Sequence, residues 1–380
     1  MKMYKGFDKD LKCRDFQYEI GKTYEEPTAE LCEKGFHACE YPLDVFGYYA
    51  PGDMSRYCEV DLDEVIDKKN SEDSKRCGKK IAVKAEIGIA GLVKAAVEYT
   101  MEKAIPEKSE HATGDYSAAS VTGLRSAVSA TGLLSAVSAT GDYSAVSATG
   151  LRSAVSATGL RSAVSATGLL SAVSATGLRS AASATGDYSA ASVTGLRSAV
   201  SATGWLSAAS ATGDYSAVSA TGLLSAASAT GDYSAVSATG LRSAVSATGL
   251  RSAVSATGWR SAASATGDYS AVSATGWRSA ASATGDYSAV SATGWLSAAS
   301  ATGDYSAVSA TGEESVAAAL GIESKAKGVL GCWIVLAEWE QDEKFNWHRK
   351  DVQCFKVDGE TVKPDTWYTL KDGRPVEVDK

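Results

Sequence analysis

The chain has 380 residues, a formal net charge of −8, and 36 glycines against 6 prolines. About half of it is Ser, Ala, Thr and Gly, which argues against one large mixed core and toward something repetitive. An acidic chain without a basic block argues against nucleic acid, and the lack of about 18 consecutive apolar residues argues against a membrane-spanning helix.

The start, Met1-Lys2-Met3-Tyr4-Lys5, has no apolar stretch behind it, so no signal peptide is expected. Seven cysteines follow: Cys13, Cys32, Cys39, Cys58, Cys77, Cys332 and Cys354. Their odd number and wide spacing do not suggest a disulfide framework. With no export signal they favour a reducing compartment, so a cytoplasmic location is expected.

Residues 1–110 read as a small α+β domain. Cys32, His37 and Cys39 form its one dense constellation, within Gly35-Phe36-His37-Ala38-Cys39. Their spacing is not a standard zinc pattern, although Cys58 or Cys77 would complete four ligands. His37 and Cys39 also suit a nucleophile–base pair, since a strand points both the same way. Buried structural cysteines and a satisfied core histidine are the simpler reading, so no catalytic, cofactor or metal site is assigned. Leu43 to Tyr49 reads as a short helix or strand stopped by Ala50-Pro51-Gly52. Ile81 to Ile87 reads as a strand. A helix over about 89–104 follows from the spacing of Ile89, Val93, Ala96, Val97, Thr100, Met101 and Ala104. It is expected to cap whatever comes next and hide an open edge.

From Gly114 to Thr311 the chain is 22 uninterrupted nine-residue units, most reading G-x-x-S-A-V/A-S-A/V-T. Gly312 and Gly321 carry two degenerate units, and the pattern dissolves near Gly331. Nine residues cannot enclose an interior, but two units can. A parallel β-solenoid with 18 residues per coil follows over 112–330, each unit giving one strand and one glycine-containing turn. With strands about 4.8 Å apart, the coils predict a rod on the order of 55–60 Å long.

The variable positions support that period. Counting the glycine as position one, Trp205, Trp259, Trp277 and Trp295 occupy position two at multiples of 18. Asp-Tyr pairs at Asp214, Asp232, Asp268, Asp286 and Asp304 keep the opposite phase. One edge is then expected to stack Trp and Leu, and the other mostly Asp-Tyr. Asp115 and Asp187 break the phase, which leaves a 27-residue triangular coil open for the first half. Every Trp unit has Ala at position six, and two units move their valine to position eight, as Val121 and Val193. Such exchange suggests a shared interior in which overpacking and cavities both cost about 1–3 kcal/mol. Positions two, six and eight are therefore expected inside, and three, five, seven and nine outside. Ser at position four should also face in and needs a backbone partner. A flexible Ser/Ala/Gly linker is the plain alternative, but it has no reason to keep valine volume or an 18-residue phase. A helix is disfavoured by glycine at every ninth residue.

The block holds nine Arg and eight Asp, so it is nearly neutral. With Asp in only eight of 22 units it does not match the calcium β-roll. No Walker loop, G-x-G-x-x-G, HExxH or G-x-S-x-G occurs. Residues 331–380 read as a β C-terminal cap. Cys332 to Ala337 is a strand, and Asp358-Gly359 and Asp372-Gly373 are hairpin turns.

The segments KGFDKDLKCRDFQYEIGKTYE and LCEKGFHACEYPLDVFGYY resemble an uncharacterised domain family of bacterial and phage or prophage proteins with Ser-Ala-Gly-rich repeats. GCWIVLAEW and VKPDTWYTLKDG are similar to the ends of the same proteins. That resemblance implies no activity, and phage derivation would imply a virion-associated location. The repeats also resemble the head β-roll of trimeric autotransporter adhesins, which is exported and has a longer repeat. Repeats this regular fit recent duplication or deliberate consensus design.

The expected function is non-enzymatic: a scaffold, spacer or display surface. It would self-associate as a homo-oligomer through flat Ala/Ser/Thr faces, with no nucleic acid, membrane or cofactor. The competing class is an enzyme or ligand-binding activity around His37 and Cys39, with the solenoid as tether. A third reading is binding of ice or polysaccharide by Ser/Thr ladders.

Overall fold

The computed structural model describes residues 1–29, 34–66, 74–103 and 108–379. It divides into two compact units, Met1–Ser219 and Ala220–Lys380. Each is described by itself.

The first unit begins with an antiparallel sheet. In order its strands are Thr23–Glu25, Lys75–Glu86, Phe36–Cys39, Lys2–Phe7 and Arg56–Ile66. Arg56–Ile66 also pairs with Lys75–Glu86, so four strands close into a ring. Strand parity sorts the side chains. Met3, Phe7, Cys58, Val60, Leu62 and Ile81 form one buried cluster. Tyr4 and Cys39 join a second cluster on the other face. The expected element around Leu43 is a 3₁₀ helix, Pro42–Gly47, started by the fixed φ of Pro42.

The solenoid starts at Lys108–Thr113. Strands 18 residues apart pair in parallel with identical register. Leu134 lies opposite Tyr116 and Arg152, and Tyr143 lies opposite Arg125 and Arg161. Two sheets result, and alternate units feed each. The register is 18 from the first coil onward, so no 27-residue coil occurs in spite of Asp115 and Asp187. Within strands the burial alternates as expected. In Leu134–Thr140, positions four, six and eight are buried and three, five, seven and nine exposed. The exchange between positions six and eight lies in this interior, where Ala191 and Val193 are both buried.

Position two does not point in. Trp205 is 59% exposed and Leu124 is 64% exposed. Parity holds only along a strand. Positions one and two form the corner, where the chain reverses and the count restarts, so the Trp–Ala correlation is not a sharing of interior volume. The corner glycines sit under one another. A Cβ on Gly168 would lie 1.5 Å from the carbonyl oxygen of Gly150, so no side chain fits there. The serine at position four finds its partner in the same corner: Ser117 Oγ donates to Gly114 O at 2.8 Å, and Ser189 Oγ to Gly186 O at 2.7 Å.

The helix Ile89–Lys103 forms as expected but does not cap the first coil. It packs against four successive strands of one sheet, from Tyr143–Thr149 to Ala199–Thr203. Fifteen residues of helix run roughly 22 Å, about the width of those strands. The position-five alanines below it, Ala163, Ala181 and Ala199, are fully buried against Leu92, Val93 and Ala96. Their small side chains let the helix come close, and this contact favours the flank over the end. Of the residues assigned to this helix, Ala104 lies outside the described residues.

The second unit continues the 18-residue register, for example Leu224 opposite Arg242 and Ala235 opposite Ala253. Here position three takes a left-handed φ in several units, as at Tyr269, Tyr287 and Tyr305. Asp at position two is satisfied across the corner. Asp268 Oδ1 accepts from Asp286 N at 2.9 Å, and Asp286 Oδ1 from Asp304 N at 2.8 Å. The expected edges are present. Trp259 stacks on Trp277 at 5.2 Å, and Tyr269, Tyr287 and Tyr305 stack at 5.0 Å. In the last coil Cys332 takes the serine's place, its Sγ donating to Gly312 O at 2.8 Å.

The C-terminal strands turn antiparallel and extend the sheets. Trp333–Gln341 pairs with Trp347–Lys356, and Tyr368–Lys371 pairs with Arg374–Glu377 through Asp372-Gly373. Glu338 ties them together, bonding Lys350 Nζ at 2.6 Å and Gly373 N at 3.0 Å. Asp358-Gly359 is not a hairpin turn. Asp358 Oδ1 accepts from the N–H groups of Glu360, Thr361 and Val362, which curls a loop instead.

Candidate functional site

Two places in the first unit bring chemistry-bearing residues together. One is a cleft of about 680 Å³ in the N-terminal domain. It opens where Lys2–Phe7 meets Phe36–Cys39, two strands whose pairing is limited to Tyr4 opposite Cys39. A small hairpin, Lys12–Cys13 with Phe16–Gln17, borders it. Asp8 Oδ1 holds the approach to that hairpin by accepting from Asp10 N and Lys12 N.

Lys5 lies between Met3 and Phe7 on the inward face and is only 5% exposed. Its Nζ donates to His37 O at 2.9 Å and to Cys13 Sγ at 3.4 Å. It also sits 5.5 Å from the Phe7 ring centroid and 5.6 Å from that of Tyr18. These contacts replace the water a buried ammonium loses. Phe16, Tyr18 and Tyr24 pack edge to face around that site. Lys75 covers the Tyr48 ring at 4.4 Å.

His37 and Cys39 both line the cleft, with His37 half-buried and Cys39 3% exposed in the core. Burial lowers the His37 pKa to about 4, helped by the positive charges of Lys75, Lys5 and Arg14. An imidazole held this low is a weak proton acceptor at pH 7, which disfavours activation of a thiol there. Nor do the described cysteines gather. Cys39 and Cys58 belong to clusters on opposite faces of the sheet, and Cys77 Sγ donates to Lys34 O. Burial pushes the Cys58 thiol up to about 11. Cys32 lies outside the described residues. No group of three or more metal-binding side chains occurs among the described residues, and no disulfide joins the six described cysteines to one another.

The second place is the seat of the N-terminal domain on the solenoid. Asp44, fully buried in the 3₁₀ helix, meets Arg179 Nε at 3.0 Å and accepts from Ser74 N at 2.8 Å. Tyr41 Oη donates to Arg179 O at 3.3 Å, and the Arg161 guanidinium lies 5.7 Å from the Tyr41 ring centroid. Arg197 packs on Gly47, where a Cβ would meet its guanidinium. Arg161, Arg179 and Arg197 are the third residues of alternate units, a run visible in the sequence whose partner was not.

Lys5, Cys13, Arg14 and Lys75 were missed by the sequence reading. The only local signal was a lysine on the apolar face of Met3-Tyr4-Lys5-Gly6-Phe7.

A family model described as Domain of unknown function (DUF7666) matches residues 1–95, which contain the cleft and Asp44. No curated protein and no solved structure matches the chain. No helix among the described residues is long and apolar enough to cross a membrane.

Proposed function

We propose that the chain is a non-enzymatic scaffold or interaction protein whose solenoid presents flat Ala/Ser/Thr faces to a second copy of itself. The observation that carries this reading is the unequal use of two chemically similar faces in the first unit. On one sheet the alanine row is buried under the helix Ile89–Lys103. On the other, Ala136, Ala154 and Ala172 lie exposed in a shallow trough flanked by Leu134, Leu170 and Tyr188. A row that takes an apolar helix on one side is competent to take an apolar partner on the other. The solenoid interior is filled by small side chains, Ala, Val and Ser.

Light scattering tests this directly. The expected result is a mass of twice 39.2 kDa or more for the native chain, and 39.2 kDa for Ala154→Glu. A native monomer at millimolar concentration would remove the self-association reading.

A further inference from the structure

We infer that the tryptophan corner of the second unit binds an acidic polysaccharide, a chain of sugars that each carry a carboxylate. This goes beyond the scaffold reading and does not depend on self-association, because it uses other residues.

The two corners of these coils treat their polar groups differently. On the aspartate corner those groups are satisfied within the protein. Asp268 Oδ1 accepts from Asp286 N at 2.9 Å, and Arg251 donates to Tyr233 Oη at 3.1 Å and lies 5.7 Å from the Tyr269 ring centroid. On the other corner, Arg242, Arg260 and Arg278 stand at position three of three successive coils, held in register by Val245 opposite Ala263 and Ala263 opposite Ala281. All three are exposed, and among the described residues no ion pair, hydrogen bond or ring contact engages their guanidinium groups. The first carboxylates after Arg278 along this corner, Glu313 and Glu314, come two coils later. A lone exposed arginine is simply solvated. Three in a row, one coil or about 4.8 Å apart, concentrate positive potential along a line, and a polyanion laid on that line offsets their mutual repulsion.

Tryptophan supplies the second argument. Trp259, Trp277 and Trp295 share this corner and are each at least 40% exposed. Exposed Trp beside exposed Arg is the composition that binding surfaces collect. Trp259 stacks on Trp277 at 5.2 Å and 12°, and Trp277 meets Trp295 at 5.3 Å and 43°. The faces inside this stack are closed. The indole N–H lies on the ring edge, and in all three it donates to no acceptor among the described residues. The corner thus offers donors and cations without acceptors of its own. Nucleic acid fits this poorly, since its bases need open aromatic faces. A sugar chain fits it well. Its hydroxyl and ring oxygens accept from N–H groups, and its carboxylates match the guanidinium fork. Period is the third argument. A sugar advances its chain by roughly one strand spacing, so one carboxylate meets one arginine per coil, whereas acidic residues on one side of an extended peptide recur about every 6.6 Å.

The test uses the full chain, calorimetry and a galacturonate hexamer. The hexamer is expected to bind with a Kd of about 1 mM or tighter. Arg260→Leu should weaken binding about tenfold, and Arg242→Leu, Arg260→Leu and Arg278→Leu together about a hundredfold, since each removes a charge-assisted contact. Trp277→Leu should weaken it about threefold or more by removing an N–H donor. Leucine already stands at these positions in Leu224, Leu241 and Leu296, so the corner accepts it, and circular dichroism checks the fold. Arg374→Gln removes an exposed arginine of the C-terminal hairpin and should leave binding within about twofold. An equal loss there and at Arg260 overturns the local assignment in favour of net charge. Neutral maltohexaose binding as tightly as the hexamer overturns the role of charge. An oligothymidylate or a polyglutamate binding more tightly than the hexamer overturns the sugar in favour of nucleic acid or an acidic protein. Unchanged binding by the triple variant overturns the site, and no binding of the hexamer at about 10 mM overturns the proposal as a whole. These outcomes are independent of the light-scattering result, which decides self-association.

Discussion

Replacing Asp44 with alanine is expected to release the N-terminal domain from the solenoid flank. Asp44 is fully buried, with Arg179 Nε at 3.0 Å on one oxygen and Ser74 N at 2.8 Å on the other. Removing the carboxylate takes the opposite charge from beside a guanidinium only 16% exposed and leaves the Ser74 N–H without its acceptor. Breaking a buried pair from one side costs about 3–5 kcal/mol. That corresponds to an increase of about 10²-fold to 5 × 10³-fold in the equilibrium constant for opening. Hydrogen exchange of peptides from Ile89–Lys103 reads this locally, because the helix is protected by its seat on Ala163, Ala181 and Ala199. Strands Arg56–Ile66 and Lys75–Glu86 should keep their protection, since their pairing does not involve Asp44. Asp44→Leu combined with Arg179→Met should restore much of the protection, as an apolar pair of similar volume removes both charges. A change of less than tenfold in helix exchange for Asp44→Ala would refute the claim that this pair fastens the domain.

Three further outcomes follow from the same contacts. Gly168→Ala, whose Cβ would lie 1.5 Å from Gly150 O, should cost about 3 kcal/mol or more in urea unfolding. Gly123→Ala, whose Cβ would meet nothing nearer than Ser126 Oγ at 3.5 Å, should cost under about 1 kcal/mol. Asp286→Ala removes the acceptor for Asp304 N and should lower the stability of the second unit by about 1 kcal/mol, with Asp286→Asn nearly neutral in the same urea melt. His37 titrates near 4 in the folded chain against an ordinary 6.5, so the unfolded chain binds more protons between those values. Stability is then fully present above about pH 6.5 and falls as the pH drops toward 4, by about 1–2 kcal/mol once screening at a half-exposed ring is allowed for. His37→Asn should flatten that part of the stability–pH curve.

The period and the alternation were legible in the sequence because both are local. An extended backbone alternates sides every residue, and two nine-residue units close one coil, so the parallel β-solenoid and its outward Ala, Ser and Thr positions follow from the repeat alone. The need of the position-four serine for a backbone partner was legible for the same reason, and its glycine carbonyl lies three residues away. The corner was less legible. Trp205 and its equivalents sit where strand parity lapses, so counting from neighbouring strands sent them to the wrong side. In the N-terminal domain the sequence singled out His37 and Cys39, and both do line the cleft. Lys5 and Cys13 reach the same place only because two strands and a hairpin meet there.

What the tertiary structure alone decided is which copies of a repeated surface are used. Ala163 and Ala172 occupy the same position of successive units, yet one is buried under a helix and the other is open. Their units differ only at position three, Arg161 against Leu170, and the alanines themselves have identical neighbours along the strand from Ser162 and Ser171 onward. The difference comes from Asp44 meeting Arg179 across 135 positions of chain, a match of charge and shape between segments whose local sequences carry no trace of each other.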